Sequence, residues 1–221
     1  MRSQLLYPVM VITVLMSCSP VQVLTSGIKQ SEINDMAYFK PQAAIGLITK
    51  GNNVQTNDSL TAIAAGMQEN IVHSLNQTIH VTADILPNSD NLARRLEAET
   101  YTLIDECSKR EIVKDIPITP LVDSLLEQSG KRYGLITLNV GFTRMEDNYT
   151  NQQIKFTAIG LLSLGMFDVH AVKSNSTIFT VIADAKENHL VFYGKTSLDG
   201  KEPLDSTVLI KQMKKTFSTN F

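Results

Sequence analysis

Apolar and polar positions alternate along this chain with two different periods, and the switch between them outlines the elements. Residues 43–49 (Ala-Ala-Ile-Gly-Leu-Ile-Thr) form a short apolar run that stops at the turn cluster Lys50-Gly51-Asn52-Asn53, which predicts a buried strand. Asp58 or Ser59 then offers a helix N-cap, and Leu60, Ile63, Ala64, Met67, Ile71 and Leu75 recur at three- and four-residue spacing as one apolar face. That helix is expected to end near Asn76. Residues 78–86 alternate and carry β-branched Ile79 and Val81, so they read as a second strand with His80 inside it. Pro87-Asn88-Ser89-Asp90 makes a turn and caps a helix with Leu92, Leu96, Leu103 and Ile104 facing inward.

Thr119-Pro120 pairs an N-cap with a proline at the first helical position, and Ser129-Gly130 supplies a glycine C-cap; Leu121, Leu125 and Leu126 face inward between them. A strand is expected over 133–144, and two more over 177–183 and 190–195, joined by the polar loop 184–189 as a hairpin. Pro203 is expected to open a last amphipathic helix with Val208, Leu209, Met213 and Phe217 on one face. Early strands separated by helices, followed by a hairpin and a final helix, predict an α/β (α+β) domain over 36–221: one mixed sheet flanked by helices. No internal repeat interrupts it.

The amino-terminal residues follow another pattern. Met1 and Arg2 precede an apolar stretch from Leu5 to Met16, broken by Pro8 and Thr13, that ends in Leu15-Met16-Ser17-Cys18. Such a stretch suits the core of a signal peptide and falls short of the roughly 20 residues needed to span a bilayer. An apolar residue three places before a cysteine and a small residue directly before it resemble a lipobox. The small Ser17 admits a signal peptidase, and the Cys18 sulfur is the good nucleophile for diacylglycerol transfer. The expectation is a signal peptide over 1–17, acylation (palmitate and its relatives) at Cys18, and a polar tether over 18–35. Three acyl chains would make anchoring effectively permanent. By resemblance to known sorting patterns, Ser19 after the cysteine is not an inner-membrane retention signal, which points to the periplasmic face of the outer membrane.

A second apolar stretch, 154–169, reads Ile-Lys-Phe-Thr-Ala-Ile-Gly-Leu-Leu-Ser-Leu-Gly-Met-Phe-Asp-Val and includes Gly160 and Gly165. It is short for a membrane span and contains Lys155. Two readings stay open: a buried helix or loop on the sheet, or a docking segment in which Ile159, Leu161, Leu162, Leu164, Met166 and Phe167 touch a partner or a membrane.

Composition changes this picture little. A hydrophobic fraction of 43% suits one folded domain, and a net charge of −2 gives no electrostatic reason to expect nucleic acid. The basic residues Lys211, Lys214 and Lys215 suit the C-terminal end of a helix. With Cys18 acylated, Cys107 is a lone thiol, expected as a small buried hydrophobe. The histidines His73, His80, His170 and His189 fall into no metal spacing beyond the weak pair Asp168/His170. No glycine-rich phosphate loop and no nucleophile elbow occurs. Glu97, Glu99, Asp105 and Glu106 read as a solvated helix face. No catalytic residue, metal site or cofactor is expected.

The stretch 176–194, with a strand ending in Asp184, a short turn, a strand from Leu190 and a proline-led last helix, resembles the late hairpin of periplasmic lipoproteins of the TolB amino-terminal/CsgG-like fold group. The strand from Tyr133 directly after a short helix looks like an earlier element of that group. Asn188 stands where the group carries glycine, and asparagine tolerates the same left-handed geometry. The chain also looks like Bacteroidetes lipoproteins, in which Asp58-Ser59-Leu60, Asp123-Ser124-Leu125 and Asp205-Ser206-Thr207 would match an O-glycosylation pattern. The resemblance implies a non-catalytic accessory or interaction module of a cell-envelope complex. The alternative is a periplasmic carrier of a small molecule or lipid.

Overall fold

The computed structural model describes residues 21–162 and 171–218, the side chains of 30 and 157–162 excepted. The expected signal peptide, Cys18, Leu164, Met166, Phe167 and the Asp168/His170 pair lie outside the described residues.

The architecture is α/β, as the pattern predicted: an eight-stranded mixed sheet with helices on both faces. Its axis is β6 (Tyr133–Arg144), buried along most of its length, as a central strand must be. On one side β6 pairs antiparallel with β7 (Ser174–Asp184), which pairs with β8 (His189–Asp199), which pairs with β1 (Val21–Thr25). On the other side it pairs parallel with two short strands in succession. β2 (Met36–Phe39) takes its first half and β3 (Gln42–Ile48) its second. The register slips by one residue between them, from Met36 opposite Tyr133 to Gln42 opposite Leu138, where Lys40-Pro41 interrupts the ladder. β5 (Val81–Ile85) adds to β2 in parallel, and the short β4 (Gln55–Thr56) adds to β3 antiparallel.

One face of the sheet is covered by α1 (Asp58–Ser74) and α6 (Ser206–Ser218). There Ile71, Val72, Leu209, Met213 and Phe217 pack on Tyr38, Leu135, Ile178, Ile182 and Phe192. The other face holds α3 (Asp90–Ser108) and α4 (Pro120–Ser129), whose Leu96, Leu103, Cys107, Val122 and Leu126 meet Phe39, Ile136, Leu138, Val181 and Tyr193. Ser89 and Thr119 cap these two helices through their side-chain oxygens, and Gly130 closes α4 at φ 67°. Asn188 takes the left-handed turn position at φ 53°, as the hairpin required.

Six expectations need correction. Residues 78–86 are not one strand. α2 (Asn76–Ile79) continues the turn after α1, and His80 caps it at φ 60°, because the buried Ile79 is held in the core beside Met36. Ile63 is 52% exposed, and the buried stripe of α1 runs instead through Ala64, Gln68, Ile71 and Val72. The N-cap of α1 is Asn57, whose side-chain oxygen accepts the Leu60 amide, and not Asp58 or Ser59; Met36–Phe39, for which the pattern predicted no element, is a wholly buried strand. The last helix starts at Ser206, where Asp205 accepts the backbone N–H groups of Thr207 and Val208; Pro203 instead packs against Gly141. Within the expected tether, residues 21–25 form an edge strand, since Val23 and Leu24 both find apolar partners when laid along β8.

Candidate functional site

The two ends of the sheet are built differently. At the lower end, where β6 and β3 finish, Arg144 is 7% exposed and gathers three segments. Its guanidinium donates to the Gly51 carbonyl at 2.7 Å, the Asn52 side-chain oxygen at 3.0 Å, the Val172 carbonyl at 3.2 Å and the Asn148 side-chain oxygen at 2.6 Å. Satisfying a planar cation with four oxygens permits its burial without a counter-ion. Asn148 belongs to α5 (Glu146–Leu162), which begins as soon as β6 ends, with the Met145 amide bonded to the Ile48 carbonyl. Between α5 and the 49–51 turn lies an open cavity of about 390 Å³ lined by Lys50, Asn151, Gln152, Ile154 and Lys155.

The segment expected to be either buried or a docking element therefore begins as helix. Ile159, Leu161 and Leu162 lie in the last turns of α5. Ile154, at the start of that segment, is 63% exposed.

At the upper end Asp184 closes β7. Its carboxylate, 1% exposed, receives two nitrogens of Arg132 at 2.7–3.1 Å and the amides of Lys186 and Glu187. Burial by itself would raise the Asp184 pKa; the Arg132 hydrogen bonds and charge, with the turn amides, outweigh it and hold it below the usual carboxylate value. Arg132 also stands 4.8 Å over the Tyr133 ring. Near this end an apolar groove of about 430 Å³ runs between α3 and the segment 115–120 that leads into α4, lined by Leu103, Ile116, Pro117 and Ile118 together with Glu106 and Arg110.

Under α1 and α6 the sheet carries a polar layer. Gln212 bonds Ser176 and the Thr196 carbonyl, Thr216 bonds Thr196, and Tyr38 bonds Thr137. Within this layer Asn139 Oδ1 and Thr180 Oγ1 are buried with no hydrogen-bond partner, as are both polar atoms of Gln68 on α1. Such orphaned atoms are ordinarily served by buried water.

Cys107 is fully buried among leucines and isoleucines, and burial, with Glu106 beside it, pushes its thiol up to about 12. His73 meets Asp84 at 3.3 Å and the Tyr38 ring edge-on. Among the described residues no three His, Cys, Asp or Glu side chains lie together as a metal cluster would. Nor is any described helix long and apolar enough to cross a membrane.

No family model and no curated protein matches this chain. Among solved structures it is similar to PelC dodecamers from Paraburkholderia phytofirmans at 8% and 10% identity, with TM-scores of 0.40 and 0.39, over 91% of this chain and 96% of that one. It is also similar to a DUF4136 family protein from Bacteroides thetaiotaomicron (9% identity, TM-score 0.29, 90% and 94% of the two chains). The LpoB C-terminal domain from Salmonella enterica matches at 7% identity and TM-score 0.28, over 75% and 82%. Likenesses of this size carry no argument about what the chain does.

Proposed function

We propose that this chain is a lipid-anchored, non-catalytic interaction module of a cell-envelope complex, held on the periplasmic face of the outer membrane. The observation that carries the reading is the apolar stretch ending in Leu15-Met16-Ser17-Cys18, directly ahead of a folded domain that begins at Val21. Acyl chains on Cys18 would make residence at the membrane effectively permanent, and a domain held there works on what it meets there. The partner contact is assigned to the apolar residues of α5 and beyond, Ile159, Leu161, Leu162, Leu164, Met166 and Phe167. No cofactor, metal or nucleic acid enters this reading.

Affinity co-purification from detergent-solubilised membranes, with Cys18→Ala as control, tests it. Recovery of one stoichiometric envelope complex with the wild-type chain, weakened by Leu161→Asp together with Leu164→Asp, is the expected result. A partnerless protein would sink the reading.

One observation favours a second reading, a carrier of a small molecule. Gln68, Asn139 and Thr180 leave buried donors and acceptors unused beneath α1 and α6, and a small polar ligand could use them. Native mass spectrometry of the purified chain would show such a ligand as a mass increment lost on unfolding.

A further inference from the structure

The register of β1 shows where the chain enters the fold. Val21 lies opposite Thr196 and Thr25 opposite Phe192, so stepping backward along β1 leads toward Asp199 and the lower end of the sheet. Residues 18–20 can span at most about 11 Å when fully extended. An acyl anchor at Cys18 therefore leaves no room for a long tether: it holds Val21, whose partner Thr196 lies three residues short of the β8 end at Asp199, within about 11 Å of the lipid headgroups.

Among the described residues that same end carries four exposed large apolar side chains: Val54, Met145, Ile154 and Val172, at 55%, 50%, 63% and 38% exposure. Each is placed by the lower-end framework. Val54 lies over Gly46, one strand position from the β4 pairing. The Met145 amide donates to the Ile48 carbonyl, Arg144 donates to the Val172 carbonyl, and Ile154 lines one cavity with Gly51. The exposed charges around them are mixed, with Lys155, Lys173 and Lys201 set against Asp147, Asp199 and Asp205. A balanced set gives no strong attraction to an anionic surface, so the apolar side chains decide what this end meets.

We propose that the lower end is a membrane-seating surface, with Val54, Met145, Ile154 and Val172 entering the headgroup region of the bilayer that holds the anchor. The occupant is the lipid surface, because the entry point of the anchored chain and the exposed apolar residues lie at one end of one sheet. The upper end, with the Arg132–Asp184 turn and the groove beside α3, then points away from the membrane. This inference rests on acylation of Cys18.

The test uses the full-length lipidated protein in vesicles of phosphatidylethanolamine and phosphatidylglycerol. Single cysteines at the lower end (Ile154→Cys, Val172→Cys) and at the upper end (Lys186→Cys, Glu187→Cys) carry a fluorophore; buried Cys107 stays unlabelled. Lipids spin-labelled at the headgroup should quench the lower pair at least about twofold more than the upper pair, since interfacial side chains enter only about 5–10 Å. The difference should persist at high salt. Equal quenching at both ends overturns the proposal, as does protection of the lower positions that needs added envelope protein rather than lipid. The mass of the amino-terminal peptide separates the two failures. An acylated Cys18 with no difference between the ends sinks the seating surface alone, and an unacylated Cys18 sinks it together with the lipoprotein reading.

Discussion

Removing either partner of the Arg132–Asp184 pair should destabilise the fold by unequal amounts, and the more exposed partner should be the more costly one to lose. In Arg132→Ala the Asp184 carboxylate, 1% exposed in the native fold, keeps only the Lys186 and Glu187 amides as protein donors. An uncompensated buried charge costs about 3–5 kcal/mol, and the two amides place this case near 3 kcal/mol. In Asp184→Ala the guanidinium left behind is 41% exposed and regains water, so the loss is that of the pair and the turn bonds, about 1–2 kcal/mol. The acid limb should separate the variants further. The folded pKa of Asp184 is depressed, so its contribution is present above the unfolded carboxylate value and is lost as pH falls through the folded value. Without Arg132, burial dominates, the folded pKa rises, and protonation in mild acid relieves the defect. Urea denaturation of residues 19–221 between neutral and acid pH measures both effects. Wild type should weaken toward acid while Arg132→Ala narrows its deficit. The reasoning fails if Asp184→Ala proves the less stable at neutral pH, or if the two pH profiles run parallel.

Three further outcomes can be checked on the same protein. Gly141→Ala would place a methyl 2.4 Å from the Asn175 carbonyl oxygen and 2.7 Å from Pro203, so thermal unfolding should show a loss of about 1–3 kcal/mol or more. Cys107, with its thiol pushed up to about 12, should remain unmodified by a thiol reagent at neutral pH in the native protein and react fully in denaturant; rapid native labelling would contradict its burial. Asn188→Gly should leave stability within about 0.5 kcal/mol, while Asn188→Val should lose about 1–2 kcal/mol at a backbone φ of 53°, both read from denaturation midpoints.

Much of this protein follows from local pattern. The caps at Ser89 and Thr119, the glycine stop at Gly130, the buried strand from Tyr133 and the left-handed Asn188 are all visible in a few neighbouring residues, because each satisfies backbone groups or sterics over a single turn. Cys107 as a buried hydrophobe is equally local, since it continues the inward face of α3 set by Leu96, Leu103 and Ile104. The tertiary structure decided the rest. Val21–Thr25 lies in the stretch expected as tether and becomes a strand because β8 presents a free edge to pair with. Met36–Phe39 has no period to detect and is buried by its neighbours on both sides. Arg144 carries no motif; four oxygens from segments as distant as Gly51 and Val172 make it the organiser of the lower end. Sequence pattern reports which face of an element is apolar, while pairing partners and long-range hydrogen bonds depend on what the chain brings alongside. For that reason the proposed lipid attachment rests on a local pattern, Leu15 to Cys18, while the short reach from Cys18 to the sheet depends on the pairing of β1 with β8.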